Sequence, residues 1–182
     1  LFIQENTVLN VLSSGITMSG TGGDVVLTMS NGGLTANGSL TTTGTTGNVR
    51  LDAQGASKDL TLNKNIQTTN GSISLLANGS VLMGSGTAAT FSTLKAGETL
   101  QVLATQGAIT MASNAIARTN AGNIRLDAAT SVALGSVDLR TDADRNANPA
   151  TLTDQSTWGS LSVKATSGTV TDAATSGDSA VD

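Results

Sequence analysis

The stretch Gly47-Asn48-Val49-Arg50-Leu51-Asp52-Ala53 returns as Gly122-Asn123-Ile124-Arg125-Leu126-Asp127-Ala128. Two looser copies follow the same template, Gly71-Ser72-Ile73-Ser74-Leu75-Leu76-Ala77 and Gly159-Ser160-Leu161-Ser162-Val163-Lys164-Ala165. Within each, apolar residues hold every second position, the mark of a strand whose successive side chains point to opposite faces. The same alternation extends to Val25-Leu27-Met29 and Leu100-Val102-Ala104. Six copies therefore begin at residues 25, 49, 73, 100, 124 and 161, spaced 24, 24, 27, 24 and 37 residues apart.

A second, shorter apolar strand follows each copy, at Leu34, Leu60-Thr61-Leu62, Val81-Leu82-Met83, Ile109-Thr110-Met111, Val132-Ala133-Leu134 and Val170. A third lies around Leu40, Ile66, Phe91, Ile116 and Val137-Asp138-Leu139. It runs into a corner rich in Thr, Asn and Gly, as in residues 66–73 and 116–124. Asn and Gly tolerate the positive φ angles that sharp bends require.

The same position keeps the same inward character in every unit. Stacked coils explain this, because each strand then bonds to its equivalents in the coils above and below, at roughly 4.8 Å per coil. The sequence thus predicts an all-β fold: a parallel β-helix (β-solenoid) of about 6–7 coils of 24–27 residues, with three short strands each. The crossover rule makes it right-handed. Residues 23–182 form the β-helical repeat region, and the 37-residue spacing marks a loop insertion at about 141–158. Residues 1–22 read as an irregular N-terminal partial coil holding Ile16-Thr17-Met18. An antiparallel sandwich also has short alternating strands, but it has no reason to carry the Gly-Asn-(Val/Ile)-Arg-Leu-Asp-Ala motif at Gly47 and again at Gly122.

Composition agrees with a thin, regular interior. Of 182 residues only 2% are aromatic and 21 are Gly. A narrow lumen between three sheets holds rows of aliphatic side chains and has little room for stacked rings. The absence of His and Cys removes imidazole bases, thiolate nucleophiles, Ser-His-Asp relays, Cys/His zinc sites and disulfides. With 9 basic residues dispersed along a chain of net charge −4, no phosphate-tracking patch forms and nucleic acid is not an expected partner. The apolar runs are a few residues long, far short of the roughly 20 that a bilayer helix needs. The chain opens at Leu1 with no Met and no signal-like segment, and so reads as a piece of a longer or processed protein.

The pattern Gly-(Ser/Asn)-(Ile/Val)-x-Leu-x-Ala, followed by a short gap, a second apolar strand and a Thr/Asn-rich corner, resembles the β-helical repeats of filamentous haemagglutinin-like exoproteins across about residues 23–175. These are large bacterial surface adhesins exported by two-partner secretion or as autotransporters. The resemblance implies a rigid extracellular or outer-membrane-associated shaft, no catalytic residues, and surface glycans or proteins of a host or neighbouring cell as partners. Both ends of such a stack present unpaired strand edges. Further coils, a cap, or copies of the chain stacked end to end would cover them.

Two groups of residues invite a chemical reading. Arg50 and Asp52, like Arg125 and Asp127, fall on outward positions, where a carboxylate and a guanidinium can bind or cleave an acidic sugar as in β-helical polysaccharide-degrading enzymes. Against this, Ser74 and Gln101 replace the Arg in the intervening coils and Leu76 and Leu103 replace the Asp. That leaves solvated surface pairs worth about 0–1 kcal/mol. In the insertion, Asp142, Asp144, Asn146 and Asn148 alternate and Asp154 follows, a spacing with which calcium loops begin. Ala147 stands where such a loop wants Gly, so a plain protruding loop competes with the calcium site. Trp158 is read as covering the loop's base. The Thr run at 41–46, with Thr68, Thr69, Thr119 and Thr141, is read as corner hydroxyls that cap backbone groups.

Overall fold

The structure is a computed structural model that describes residues 1–84, 93–146 and 155–173. Each coil contributes one longer strand and two shorter ones. The first sheet stacks β1 (Phe2–Glu5), β4 (Val25–Met29), β7 (Val49–Ala53), β10 (Ile73–Ala77), β13 (Leu100–Ala104), β16 (Ile124–Ala128) and β19 (Leu161–Ala165). The second stacks β2 (Leu9–Val11), β5 (Leu34–Ala36), β8 (Leu60–Leu62), β11 (Val81–Met83), β14 (Ile109–Met111), β17 (Val132–Leu134) and β20 (Val170–Asp172). The third holds β3 (Ile16–Met18), β6 (Leu40–Thr42), β9 (Ile66–Thr68), β12 (Thr93–Ala96), β15 (Ile116–Thr119) and β18 (Ser136–Asp138). Every pairing is parallel and joins equivalent strands of successive coils. The expected parallel β-solenoid, three strands to the coil, is the fold.

Register places like over like. Leu27, Leu51, Leu75, Val102 and Leu126 form one inward column and all are fully buried. Beside it runs the small column Ala53, Ala77, Ala104 and Ala128, capped at one side by Met29. Burying each large aliphatic side chain is worth about 1.5–3 kcal/mol, so repetition alone builds a stable interior without aromatic residues.

The corners are set by how closely the coils approach. The motif's first residue lies against the backbone of the coil before it: a Cβ at Gly71 would collide with the carbonyl oxygen of Gly47, and one at Gly122 with that of Glu98. Glycine is the residue that admits this contact. Just before it, Thr42, Thr68 and Thr119 are buried, and their hydroxyls donate to the carbonyl oxygens of Gly47 (2.7 Å), Gly71 (2.5 Å) and Gly122 (2.7 Å). These hydroxyls cap corner carbonyls, the role read from the Thr run.

Three expectations change. Residues 1–22 form a complete three-stranded coil, not a partial one, with β1, β2 and β3 paired to β4, β5 and β6. Among the described residues it is flanked by a coil on one side only, and Phe2, Val8 and Leu12 are exposed despite their apolarity. In the fourth coil the third strand is Thr93–Ala96, with Leu94 in register with Ile66; Phe91 lies outside the described residues. In the fifth coil the inward residue is Ala117 and not Ile116, since Ala117 is in register with Leu94 and is fully buried. A one-residue shift in a period-two strand turns each side chain to the other face.

Candidate functional site

The outer face of the first sheet carries the two Arg–Asp pairs. Arg50 Nη2 donates to Asp52 Oδ2 at 2.9 Å, and Gln54 Nε2 donates to the same oxygen at 3.1 Å. Asp52 is only 6% exposed although it points outward, because Thr28 and Leu76 flank it in its column and Arg50 and Gln54 close over it. Arg125 Nη2 donates to Asp127 Oδ2 at 2.7 Å, with Lys164 Nζ 3.9 Å from the other oxygen. These are covered carboxylates under exposed guanidiniums, not freely solvated pairs. Asp52 and Asp127 are separated by three coil steps through Leu76 and Leu103. At roughly 4.8 Å per step that is about 14 Å. The carboxyl pairs of glycosidases stand about 5–9.5 Å apart, so these two cannot work as one.

The densest charge cluster lies at the insertion, on the outer side of the third sheet. After β18 the chain forms a one-turn helix, α1 (Asp142–Asn146), and it returns to the stack through a short 3-10 turn at Gln155–Thr157. Thr141 caps α1: its hydroxyl accepts from the Asp144 N–H at 3.0 Å and donates to Asp144 Oδ2 at 2.7 Å. A Thr followed three residues later by an acid is a helix-start signal, legible in the sequence though displaced there by the calcium reading. Trp158 Nε1 donates to the same Asp144 oxygen at 3.0 Å, which fastens the returning chain to α1.

Arg145 holds the cluster together. Its Nε donates to Asp138 Oδ2 at 2.8 Å, its Nη1 to Asp142 Oδ1, and its Nη2 to the carbonyl oxygens of Thr119 (2.8 Å) and Arg140 (2.7 Å). Arg140 grips Asp138 through Nε and Nη2, each at 3.0 Å. The N–H of Asp142 donates to Asn120 Oδ1 at 2.8 Å, and Lys95 Nζ lies 3.3 Å from its carboxylate. The helix therefore folds back along the shaft and ties the fourth, fifth and sixth coils together through Lys95, Thr119 with Asn120, and Asp138. Burial would raise the pKa of Asp138, but hydrogen bonds from Arg140 and Arg145 outweigh it and hold the carboxyl well below the usual range. The Thr141 hydroxyl and the Trp158 indole hold Asp144 below its ordinary value.

Of the residues read as calcium ligands, Asp142 and Asp144 open α1 and Asn146 ends it; Asn148 and Asp154 lie outside the described residues. The carboxylates of Asp142 and Asp144 are engaged by Arg145 and Lys95, and by Thr141 and Trp158. Among the described residues no three acidic, His or Cys side chains converge as a metal site would require. Sequence reasoning missed Asp138, Arg140 and Arg145; their signal is the alternation of opposite charges over residues 138–145, which marks an ion-paired brace.

No family of known proteins matches the chain, and neither a curated protein nor a solved structure is found to be similar to it. What stands is the fold, a β-helical repeat unit, together with the brace on its side. No helix among the described residues is long and apolar enough to cross a membrane.

Proposed function

We propose that this chain is a structural segment of a large fibrous protein, secreted or displayed on a bacterial cell surface, that acts as a rigid shaft and presents binding surfaces on its outer faces and insertion. The single observation behind this reading is the unbroken stack, seven strands deep in two sheets and six in the third, around a dry aliphatic column. Such a body resists bending because every strand is bonded to its neighbours above and below, and its length grows with each repeat without changing its cross-section. The repeat's resemblance to filamentous haemagglutinin-like adhesins supports a role in attachment, with surface glycans or proteins as the partners and the braced insertion as an added surface on the side of the shaft.

The other reading, a module that degrades polysaccharide, draws support from the Arg–Asp pairs on one face. Their carboxylates stand three coil steps apart and each is tied to its own arginine. That separation disfavours hydrolysis and leaves the exposed guanidiniums suited at most to holding acidic groups. A panel of acidic and neutral glycans incubated with the purified chain tests both. The expected result is retention on some glycan or cell-surface fraction with no release of reducing ends. Turnover that vanishes in Asp52→Asn or Asp127→Asn would overturn the shaft reading in favour of the enzyme.

A further inference from the structure

Along the outward side of the first sheet, the polar groups at the two margins are engaged with one another and those in the middle are not. At one margin the Asn48 N–H donates to Asp24 Oδ1 at 2.7 Å, the Ser72 N–H to Asn48 Oδ1 at 2.9 Å, and the Thr99 hydroxyl to Ser72 Oγ at 2.9 Å. At the other, Asn78 Nδ2 donates to the Gln54 carbonyl oxygen and Thr105 Oγ1 to Asn78 Oδ1 at 3.0 Å. Between these ladders, one outward column reads Arg50, Ser74, Gln101 and Arg125, and beside it runs Asp52, Leu76, Leu103 and Asp127. The side chains of Ser74 and Gln101 take part in no hydrogen bond among the described residues.

The charge exposed on this strip is positive. The side chains of Arg50 and Arg125 are 50% and 58% exposed, whereas those of Asp52 and Asp127 are 8% and 14% exposed. Lys164, in register with Asp127, adds a third exposed cation. The corner carboxylates Asp24 and Glu98 accept from Asn48 and Ser72. Each arginine bonds its own aspartate through Nη2, and a guanidinium has five N–H donors, so most of them stay uncommitted. The covered carboxylate beneath also fixes each guanidinium in place, so little side-chain freedom is left to lose when a ligand binds. Arg50 and Arg125 stand three coil steps apart, about 14 Å, with a hydroxyl, an amide and two leucines between them.

A guanidinium fork matches a carboxylate, and a hydroxyl and an amide beside an apolar ledge match a sugar ring with its own hydroxyls and C–H face. A neutral sugar would leave both guanidiniums without a counter-charge. A nucleic acid would call for a continuous row of cations, which Ser74 and Gln101 interrupt. We propose that this strip, from β7 to β16, binds a linear polysaccharide that carries carboxylates, a polyuronate, laid along the shaft. Arg50 and Arg125 each hold a carboxylate, Ser74 and Gln101 bond the sugar hydroxyls between them, and Leu76 and Leu103 lie against the rings. Two anchors on one rigid body act on one chain, so losing either also loses the gain from their linkage. The inference rests on the attachment reading and deepens it by naming the glycan and the face.

Biolayer interferometry of the purified chain on immobilised polygalacturonate tests it. The unaltered chain should be held, and less tightly as salt is raised, because the anchoring charges are exposed. Neutral dextran and polyglutamate should be held far less. Arg50→Gln and Arg125→Gln should each weaken binding about tenfold, and together abolish it. Arg50→Lys with Arg125→Lys keeps the charge and loses the fork; it should fall between, and it serves if the glutamine variants misfold. Ser74→Ala with Gln101→Ala should weaken binding to polygalacturonate about threefold. Arg118→Gln, on β15 of the third sheet, should bind as the unaltered chain does. The proposal is overturned if the unaltered chain is not held, or if polyglutamate is held as tightly, which would mean that charge alone is read. It is overturned equally if the double glutamine variant is held undiminished with its β-sheet circular dichroism intact. Retention on cell-surface fractions that survives the loss of both arginines would refute this strip and leave the attachment reading standing.

Discussion

The third and fourth coils and the seventh carry the same motif, with opposite outcomes. In β7 and β10, Leu51 and Leu75 are fully buried; in β19, Leu161 is exposed and Val163 is only half-buried. The pattern of alternation is the same, and so is the pairing to the preceding coil. What differs is the coil on the other side. Burial here belongs to the stack and not to the motif, and each repeat's contribution depends on its neighbours, as in any one-dimensional array.

The largest effect that can break this comparison is truncation in the middle set against truncation at the end. Leu75→Ala should cost about 2–5 kcal/mol and Val163→Ala under about 1 kcal/mol, because the end site already meets solvent and leaves no closed cavity. Urea unfolding of both variants measures the difference; equal costs would show that the stack does not shield its centre.

The brace comes next. Arg145→Ala strips four acceptors of their donor and leaves Asp138 to Arg140 alone. Near neutral pH the loss should be about 1.5–3 kcal/mol, the range for hydrogen bonds to charged groups. Since the folded-state pKa of Asp138 is depressed, its stabilisation is fully present above the ordinary carboxylate pKa of about 4 and is lost as the pH falls toward the folded value. The gap between wild type and Arg145→Ala should therefore close in thermal melts taken progressively below about pH 4. Thr68→Val should cost about 1–3 kcal/mol in the same melts: the Gly71 carbonyl it releases still accepts from the Glu98 N–H, but the half-buried Gly97 N–H loses the Thr68 hydroxyl as its acceptor.

Asp52→Leu sharpens the comparison from the outer face. It extends the Leu76 and Leu103 column and removes a covered charge together with its desolvation. The change should lie between neutral and about 1 kcal/mol of added stability, measured by the same urea unfolding. The smallest expected effect is that of calcium: titration should leave the melting temperature of wild type and of Asp142→Ala with Asp144→Ala unmoved, because those oxygens are engaged by protein donors.

The difference between centre and end also accounts for what could be read in the sequence. Columns such as Val49-Leu51-Ala53 and Ile124-Leu126-Ala128 were legible because an inner face flanked on both sides admits only apolar residues. The first coil was not, since Glu5 is in register with the buried Met29 where the other coils carry an apolar residue, and Phe2 and Val8 stand exposed. Ile116 and Ala117 are confused by a different cause. Hydrophobicity favours isoleucine for the interior, but the corner at Ala115 and the register with Leu94 bring Ala117 inward. At the insertion, the spacing of Asp142, Asp144 and Asn146 resembles a calcium loop only while Arg145 is ignored. A cation within the run, a capping Thr141 and the upstream Asp138 turn the same acids into an ion-paired helix. That outcome depends on Thr119 and Lys95, which sit one and two coils earlier in the stack and are remote from the insertion in sequence.

Whether equivalent residues of successive coils lie side by side in parallel register is decided by through-space nuclear magnetic resonance contacts on the isotope-labelled chain. The expected contacts run from Ile73 to Val49 and Leu100, from Leu75 to Leu51 and Val102, and from Ala77 to Ala53 and Ala104. Contacts in reversed order, with Ile73 against Ala53 and Ala77 against Val49, would mean antiparallel strands, and the stacked shaft would be refuted.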